Sequence, residues 1–275
     1  MIRTLRPGLR CVEVPNGDVM DDPTNMFIIG ENPVVLIDPG SMPGLDTVVD
    51  TLNGLGNPVV SEIWLTHVHI DHGESANEVR RHTGAPIRFH ELELPELHAT
   101  PHDIELDGPI ATGEILKHTG YAFEAVLTPG HAAGHLSFVE TSENFAIVGD
   151  LVTGWGSSAI FPPWGDLADY IDSLQLMARR GTNPLYPSHG EPVENGPEAL
   201  QRFVHRRLER ERQILEILNS DPLPAEKIRD QLYGELPQDL INDVTGNVIL
   251  HLEKLERQLE VQRIDAEGSV LYRRC

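Results

Sequence analysis

Thr66-His67-Val68-His69-Ile70-Asp71-His72 decides how this chain reads. Four lone-pair donors fall within six residues, directly after the apolar run Ile63-Trp64-Leu65. Side chains two apart on an extended segment point the same way, so His67 and His69 can grip one ion. Asp71 and His72 follow one turn later and can serve a second. Imidazole mixed with carboxylate is the donor set of catalytic zinc sites. The bland alternative is a coincidental polar turn, and the rarity of this spacing argues against it.

The same grammar, a short apolar run ending in a His or Asp, recurs downstream. Phe123 to Leu127 leads into Thr128-Pro129-Gly130-His131, Phe145 to Val148 into Gly149-Asp150, and Leu185 to Ser188 into His189. Upstream, Met26-Phe27-Ile28-Ile29 and Val34-Val35-Leu36-Ile37 read as two strands around the turn Gly30-Glu31-Asn32-Pro33, and Leu45 to Leu52 as a short helix. Loops at strand ends are where a rigid scaffold presents reactive side chains. His135 is read as a hydrogen-bonded structural histidine. His82, His90, His98, His102 and His118 have no ligand spacing and read as surface or loop residues.

Composition bounds the rest. With 275 residues, 40% hydrophobic and 23% charged, the chain can bury a proper core. Against 21 Lys+Arg stand 43 Asp+Glu, a net charge of −22 that repels polyanions and anionic lipid at long range. The imbalance is uneven: residues 1–196 carry 9 basic and 28 acidic side chains, residues 197–275 carry 12 and 15. Cys11 and Cys275 make no disulfide framework. The N-terminal segment lacks the apolar core of a signal peptide, and no apolar run reaches about 18 residues, so a cytoplasmic protein without a membrane span is expected.

From Pro197 the texture turns helical. Asn195-Gly196-Pro197-Glu198 supplies a start signal, and Leu200, Val204, Leu208, Leu215 and Leu218 mark an apolar face. A short helix at Ala225–Tyr233 and a longer one through Val248, Leu252, Leu255 and Leu259 follow. Val261–Ile264 and Ser269–Tyr272 flank Asp265-Ala266-Glu267-Gly268 as a hairpin. Three helices closed by a hairpin outline a winged-helix domain, giving a division at 1–196 and 197–275.

The His/Asp run, Thr128-Pro129-Gly130-His131, Gly149-Asp150 and Pro187-Ser188-His189-Gly190 occur in the order and spacing of the metallo-β-lactamase superfamily, which residues 10–195 resemble. The resemblance implies an α/β fold, an αββα sandwich with the metals at one edge of the two sheets. Position by position it implies His67, His69 and His131 on one metal, Asp71, His72 and His189 on a second, and Asp150 bridging. Asp71 and Asp150 are the carboxylates expected to be catalytic. Asp38 resembles the family's acid that orients a ligand imidazole. Two departures stand beside ligands: Ser188 where Gly is usual, and Gly73-Glu74 for the common Gly-Gly.

The resemblance implies a dinuclear metal-dependent hydrolase holding two divalent ions, zinc by default with iron or manganese as alternatives. An Asp at the position of Asp150 is similar to glyoxalase-II-like thioesterases, lactonases and nucleases and unlike true β-lactamases. The tail, and the segment Asp166-Leu167-Ala168-Asp169-Tyr170-Ile171-Asp172-Ser173-Leu174, resemble a β-lactamase-like group that includes polyketide-associated thioesterases and a mitochondrial single-strand endoribonuclease. A small-molecule thioester or related activated acyl ester is the expected substrate, because Trp155, Phe161 and Trp164 in the Gly154–Tyr170 loop suit an acyl chain. Single-strand endoribonuclease activity is the alternative, motivated by His251, Lys254 and Arg257 of the tail, with nucleic acid not the favoured partner. Lactonase, β-lactamase and DNA-binding regulator rank lower. The tail is also a candidate homodimer element.

Overall fold

Alternation within each strand builds the fold. The computed structural model describes residues 2–275 except 102, 220, 267 and 268, so the hairpin turn Glu267-Gly268 and His102 lie outside the described residues. The first sheet runs in chain order, β1 (Ile2–Arg6), β2 (Leu9–Val14), β3 (Thr24–Gly30), β4 (Val34–Ile37), β5 (Val60–Trp64), β6 (Ile87–Arg88). The second holds β7 (Ile115–His118), β8 (Tyr121–Leu127), β9 (Leu136–Glu140), β10 (Ala146–Gly149) and β13 (Leu185–Pro187), with β13 on the far side of β10. A small ribbon, β11 (Val152–Thr153) and β12 (Gly156–Ser157), lies between.

Odd and even residues go to different cores, as a period of two requires. Phe27, Ile29, Val35 and Ile37 of the first sheet meet Phe123, Ala125, Phe138 and Ile147 of the second. Met26, Ile28 and Leu36 turn the other way, onto α1 (Leu45–Gly54) and α3 (Ala76–Thr83). Val126, Val139 and Val148 cover α5 (Leu167–Arg180) and the start of α6 (Gly196–Ile217). Each fully buried aliphatic or Phe side chain contributes about 1.5–3 kcal/mol. The expected αββα layering is the one observed.

Direction then gathers the chemistry. β4 and β5 run parallel, β10 and β13 run parallel, and β8 shares the direction of β10 through antiparallel β9. Their C-terminal ends open on one edge: Asp38 follows β4, Leu65-Thr66 follow β5, Thr128 follows β8, Asp150 follows β10 and Ser188 follows β13. The short helices α2 (Ile70–Gly73) and α4 (Leu94–Ala99) flank that edge.

The last quarter has the expected element order: α6, α7 (Ala225–Tyr233), α8 (Ile241–Arg257), then β14 (Val261–Ala266) paired with β15 (Ser269–Arg274). Ile214, Leu218, Ile228, Val248, Leu252 and Tyr272 form its own core. One detail differs from the sequence reading: Leu208 is exposed, whereas Phe203 and Ile214 are buried. The 22-residue α6 serves two cores and changes its inward face between them. Ala199, Leu200 and Phe203 pack under α5, while Ile214 packs into the tail.

Candidate metal centre

Asp38 is the fixed point of the site. Its backbone is left-handed (φ 53°), which short polar residues tolerate. One carboxylate oxygen accepts from the Thr66 N–H (2.8 Å), the other from the Thr66 hydroxyl (2.7 Å) and the Ser188 hydroxyl (3.0 Å). His72 Nδ1 lies 3.0 Å from that second oxygen and donates to it, which aims Nε2 inward, where a bound cation would displace its proton. Ser188 thus does what Gly could not, tying the second sheet to the first. The resemblance implied this orienting role for Asp38, and the geometry supplies it.

All seven sequence-selected donors converge. His67 Nε2 and His131 Nε2 each stand 2.9 Å from His69 Nδ1. His189 Nε2 and His72 Nε2 stand 3.1 and 3.5 Å from Asp71 Oδ2. Asp150 lies between the two groups: Oδ2 is 3.5 Å from His131 Nε2, and Oδ1 is 3.5 Å from His72 Nε2 and 3.6 Å from His189 Nε2. Residue sets His67/His69/His131, His67/His72/Asp150 and Asp71/His72/His189 each bring their donor atoms within 4.8 Å of one another.

The outward ring nitrogens are all engaged. His67 Nδ1 meets Thr66 Oγ1 (3.0 Å), His131 Nδ1 donates to the Ala159 carbonyl (2.8 Å), and His189 Nδ1 to the Pro23 carbonyl (3.1 Å). His69 points Nε2 at Glu96 Oε1 (3.1 Å), so Nδ1 faces the cluster. Inward, His72 Nε2, His189 Nε2 and Asp150 Oδ1 are buried without hydrogen-bond partners among the described residues. Buried polar atoms left so are costly. Inward lone pairs with outward anchors suit divalent cations, and the donor set fits that group.

Electrostatics agree. Burial, and then neighbouring imidazoles, push His67 well below its ordinary value and His131 down to about 4, keeping both neutral donors. Burial also opposes charge on His72, yet Asp71, Asp150 and Asp38 outweigh it and hold its pKa well up. Asp71 and Asp150 are held well below the usual carboxylate range: burial disfavours their charge, and His72 with His189 more than offsets it.

Sequence reasoning missed Glu93 and Glu96. Glu93 is fully buried, and its carboxylate accepts from the Val68 N–H (2.9 Å) and the Gly134 N–H, bracing both His loops. Burial raises its pKa to about 7. The only available signal was an acidic segment, Glu91-Leu92-Glu93-Leu94-Pro95-Glu96, which looks like a solvated helix start. His135 is structural, as read: it meets the Thr128 hydroxyl (2.9 Å) and accepts from the Asp150 N–H (3.0 Å), a role suited to a ring that burial drives down to about 3. His90, read as a surface residue, is buried and accepts from the Leu92 N–H. Tyr170 packs: its hydroxyl accepts from the Ser158 N–H (3.0 Å) and donates to the Leu151 carbonyl (2.8 Å).

The cluster floors a cavity of about 360 Å³ whose mouth carries Met20, Trp155 and Phe161. Trp155 is 62% exposed and Phe161 46%, while Trp164 is not among the lining residues. Of the tail cations singled out for a phosphate surface, His251 and Lys254 are buried, Lys254 against Glu211 (2.9 Å), and Arg257 pairs with Asp166 (2.7 Å). No helix among the described residues is long and apolar enough to cross a membrane.

A sequence model of the metallo-beta-lactamase superfamily matches residues 19–189. The lactamase-like protein nscB of Trichophyton rubrum is 29% identical over 246 residues, covering 83% of this chain and 72% of the relative. Thioesterase pkgB of Emericella nidulans is 32% identical over 197 residues, 71% of this chain; the match spans 54% of that relative's length. In fold, a metallo-beta-lactamase family protein from Thermus thermophilus superposes with a TM-score of 0.82 at 24% identity, covering 99% of this chain and 100% of that one. The matched residues include all seven donors of the cluster built above, and the chain belongs to the metallo-beta-lactamase superfamily, whose members are in general metal-dependent hydrolases.

Proposed function

We propose that the chain is a dinuclear hydrolase acting on a thioester or related activated acyl ester. The observation that carries the two-ion reading is Asp150, one oxygen facing His131 and the other facing His72 and His189 at 3.5–3.6 Å. His67, His69 and His131 would hold one divalent ion, Asp71, His72 and His189 a second, with Asp150 shared; zinc is the default occupant. When bound, such ions supply a Lewis acid and a water of lowered pKa. The chain's own part is to keep Asp71 and Asp150 ionised, to hold each imidazole in one tautomer, and to orient Asp150 through the Asp150 N–H to His135 bond.

The acyl choice is supported by the apolar mouth at Met20, Trp155 and Phe161 and by the name of the Emericella relative. Burial of His251 and Lys254 and the net charge of −22 weigh against a phosphate-tracking surface. We carry forward a winged-helix identity for residues 197–275 on the strength of the element order. The test is a panel of acyl thioesters, lactones, β-lactams and single-stranded RNA, run with zinc-, manganese- and iron-loaded protein. Thioester turnover that disappears in Asp150→Ala is expected. RNA cleavage lost on His67→Ala, without thioester turnover, would replace this reading with the endoribonuclease one.

A further inference from the structure

One side chain of the C-terminal helices reaches the segment that backs the metal centre. Arg207 lies on α6, beyond the ligand motifs, and its guanidinium donates to the Ser158 carbonyl (2.8 Å) and to Asn247 Oδ1 on α8 (2.9 Å), with Ser157 Oγ at 3.4 Å. It also stands over the Tyr170 ring, 5.6 Å from the centroid. The same Ser158 is held from its other side, its N–H bonded to the Tyr170 hydroxyl, which also grips the Leu151 carbonyl next to Asp150. The following residue, Ala159, presents the carbonyl that accepts the hydrogen bond from His131 Nδ1–H.

We propose that Arg207 is a positioning residue for the metal centre, fixing the 157–159 segment so that the Ala159 carbonyl holds His131 with Nε2 toward the cluster. The inference rests on the reading of His131 as a metal ligand. A carbonyl on a loop orients an imidazole only if the loop itself is fixed, and nothing about the two-residue strand β12 supplies that stiffness. The Arg fork does: two donors of a rigid plane engage α8 and the loop together, while the ring of Tyr170 limits where the plane can go. Loss of a partner that orients a metal-ligating His typically lowers metal affinity 10–100-fold.

The test uses the full chain, metal-free, titrated with Zn(II) or Co(II) alone against a chromophoric chelator. Wild type, Arg207→Ala, Arg207→Lys and Arg210→Ala are compared; Arg210 stacks on Tyr233 inside the tail, 4.2 Å from the ring centroid. Arg207→Ala is expected to weaken one equivalent about 10–100-fold and to alter the Co(II) spectrum of that equivalent, leaving the other within about two-fold. Arg207→Lys, which retains the charge without the fork, should recover part of the loss, and Arg210→Ala should match wild type. If Arg207→Ala does not fold, Arg207→Lys alone decides, with weakening of one equivalent at unchanged far-UV CD as the supporting result. Wild-type affinity at both equivalents in the Arg207 variants overturns the proposal. So does equal weakening of both equivalents in step with a lowered Tm, which marks a structural role only. A wild-type chain that binds no metal sinks the metal-centre reading itself, a distinct result.

Discussion

Replacing Asp38 by Asn separates orientation from bulk. Asn tolerates the left-handed backbone at φ 53° as well as Asp does, so the substitution introduces no conformational strain. If the amide oxygen stays on the Thr66 N–H, the NH2 faces the Thr66 hydroxyl, the Ser188 hydroxyl and His72 Nδ1, all of which donated before. The hydroxyls can rotate to accept. His72 can accept only by moving its proton to Nε2, where it points at Asp71 and Asp150 (3.5 Å each) and hides the lone pair. Three bonds to one carboxylate oxygen, at about 1.5–3 kcal/mol each, give way to at most two neutral ones at about 1 kcal/mol each. The metal-free protein should therefore lose at least about 2.5 kcal/mol. Metal affinity should fall about 10–100-fold at the equivalent served by His72. Urea denaturation of the metal-free protein measures the first and chelator competition the second. A variant with the wild-type midpoint and two wild-type metal equivalents would refute the claim that Asp38 sets the His72 tautomer.

Three further outcomes are expected. Gly130 has φ +126°, and a Cβ there would lie 2.3 Å from the Tyr170 backbone, whereas Gly120 (φ +87°) has open space around it; Gly130→Ala should cost at least about 3 kcal/mol and Gly120→Ala about 1 kcal/mol, read by denaturation. Glu211 is held below its usual range because His251 and Lys254 outweigh the burial that would raise it, and His251 is itself lowered by burial. Both depressed values mean stability present at neutral pH and lost on acidification: the His251 share goes as pH falls below its ordinary 6.5, the Glu211 share as pH falls from its ordinary 4.5 through the folded value. Glu211→Gln should cost about 3 kcal/mol at pH 7 by leaving Lys254 buried and unpaired, with the gap to wild type closing below pH 4 in denaturation curves at stepped pH. Cys275 is exposed, while burial pushes the Cys11 thiol up to about 11; Ellman's reagent should titrate one thiol in the native protein and a second only after unfolding.

The donors were legible because their information is local. His67, His69, Asp71 and His72 carry their own spacing, and His131, Asp150 and His189 each follow an apolar run that can only be a strand. The layers were legible for the same reason, since Met26 to Ile29 and Val34 to Ile37 alternate between two cores. Glu93 and Glu96 were not: a buried carboxylate and a solvated one look alike until the fold brings Val68 and Gly134 to it. Arg207 escaped in the same way, one Arg among several on a helix where Arg202 and Arg206 face water, Arg212 pairs with Glu209 and Glu216, and Arg210 stacks on Tyr233. The exposed Leu208 has a different cause: one period was assumed along a helix that buries successive faces against two partners.

That double allegiance of α6 bears on how such a protein can be taken apart or recombined. A break in composition at Pro197 invites the view that the tail is a detachable cassette. Cutting there would strip Ala199, Leu200 and Phe203 from the underside of α5, and with them the anchorage of the segment behind His131. A graft that exchanged the tail for another would have to retain about the first three and a half turns of α6, and on α8 the partners Asn247 and Leu250. The seam visible in the amino-acid usage is therefore not a seam in the free energy, and lineages that vary the tail are expected to vary it beyond Arg207.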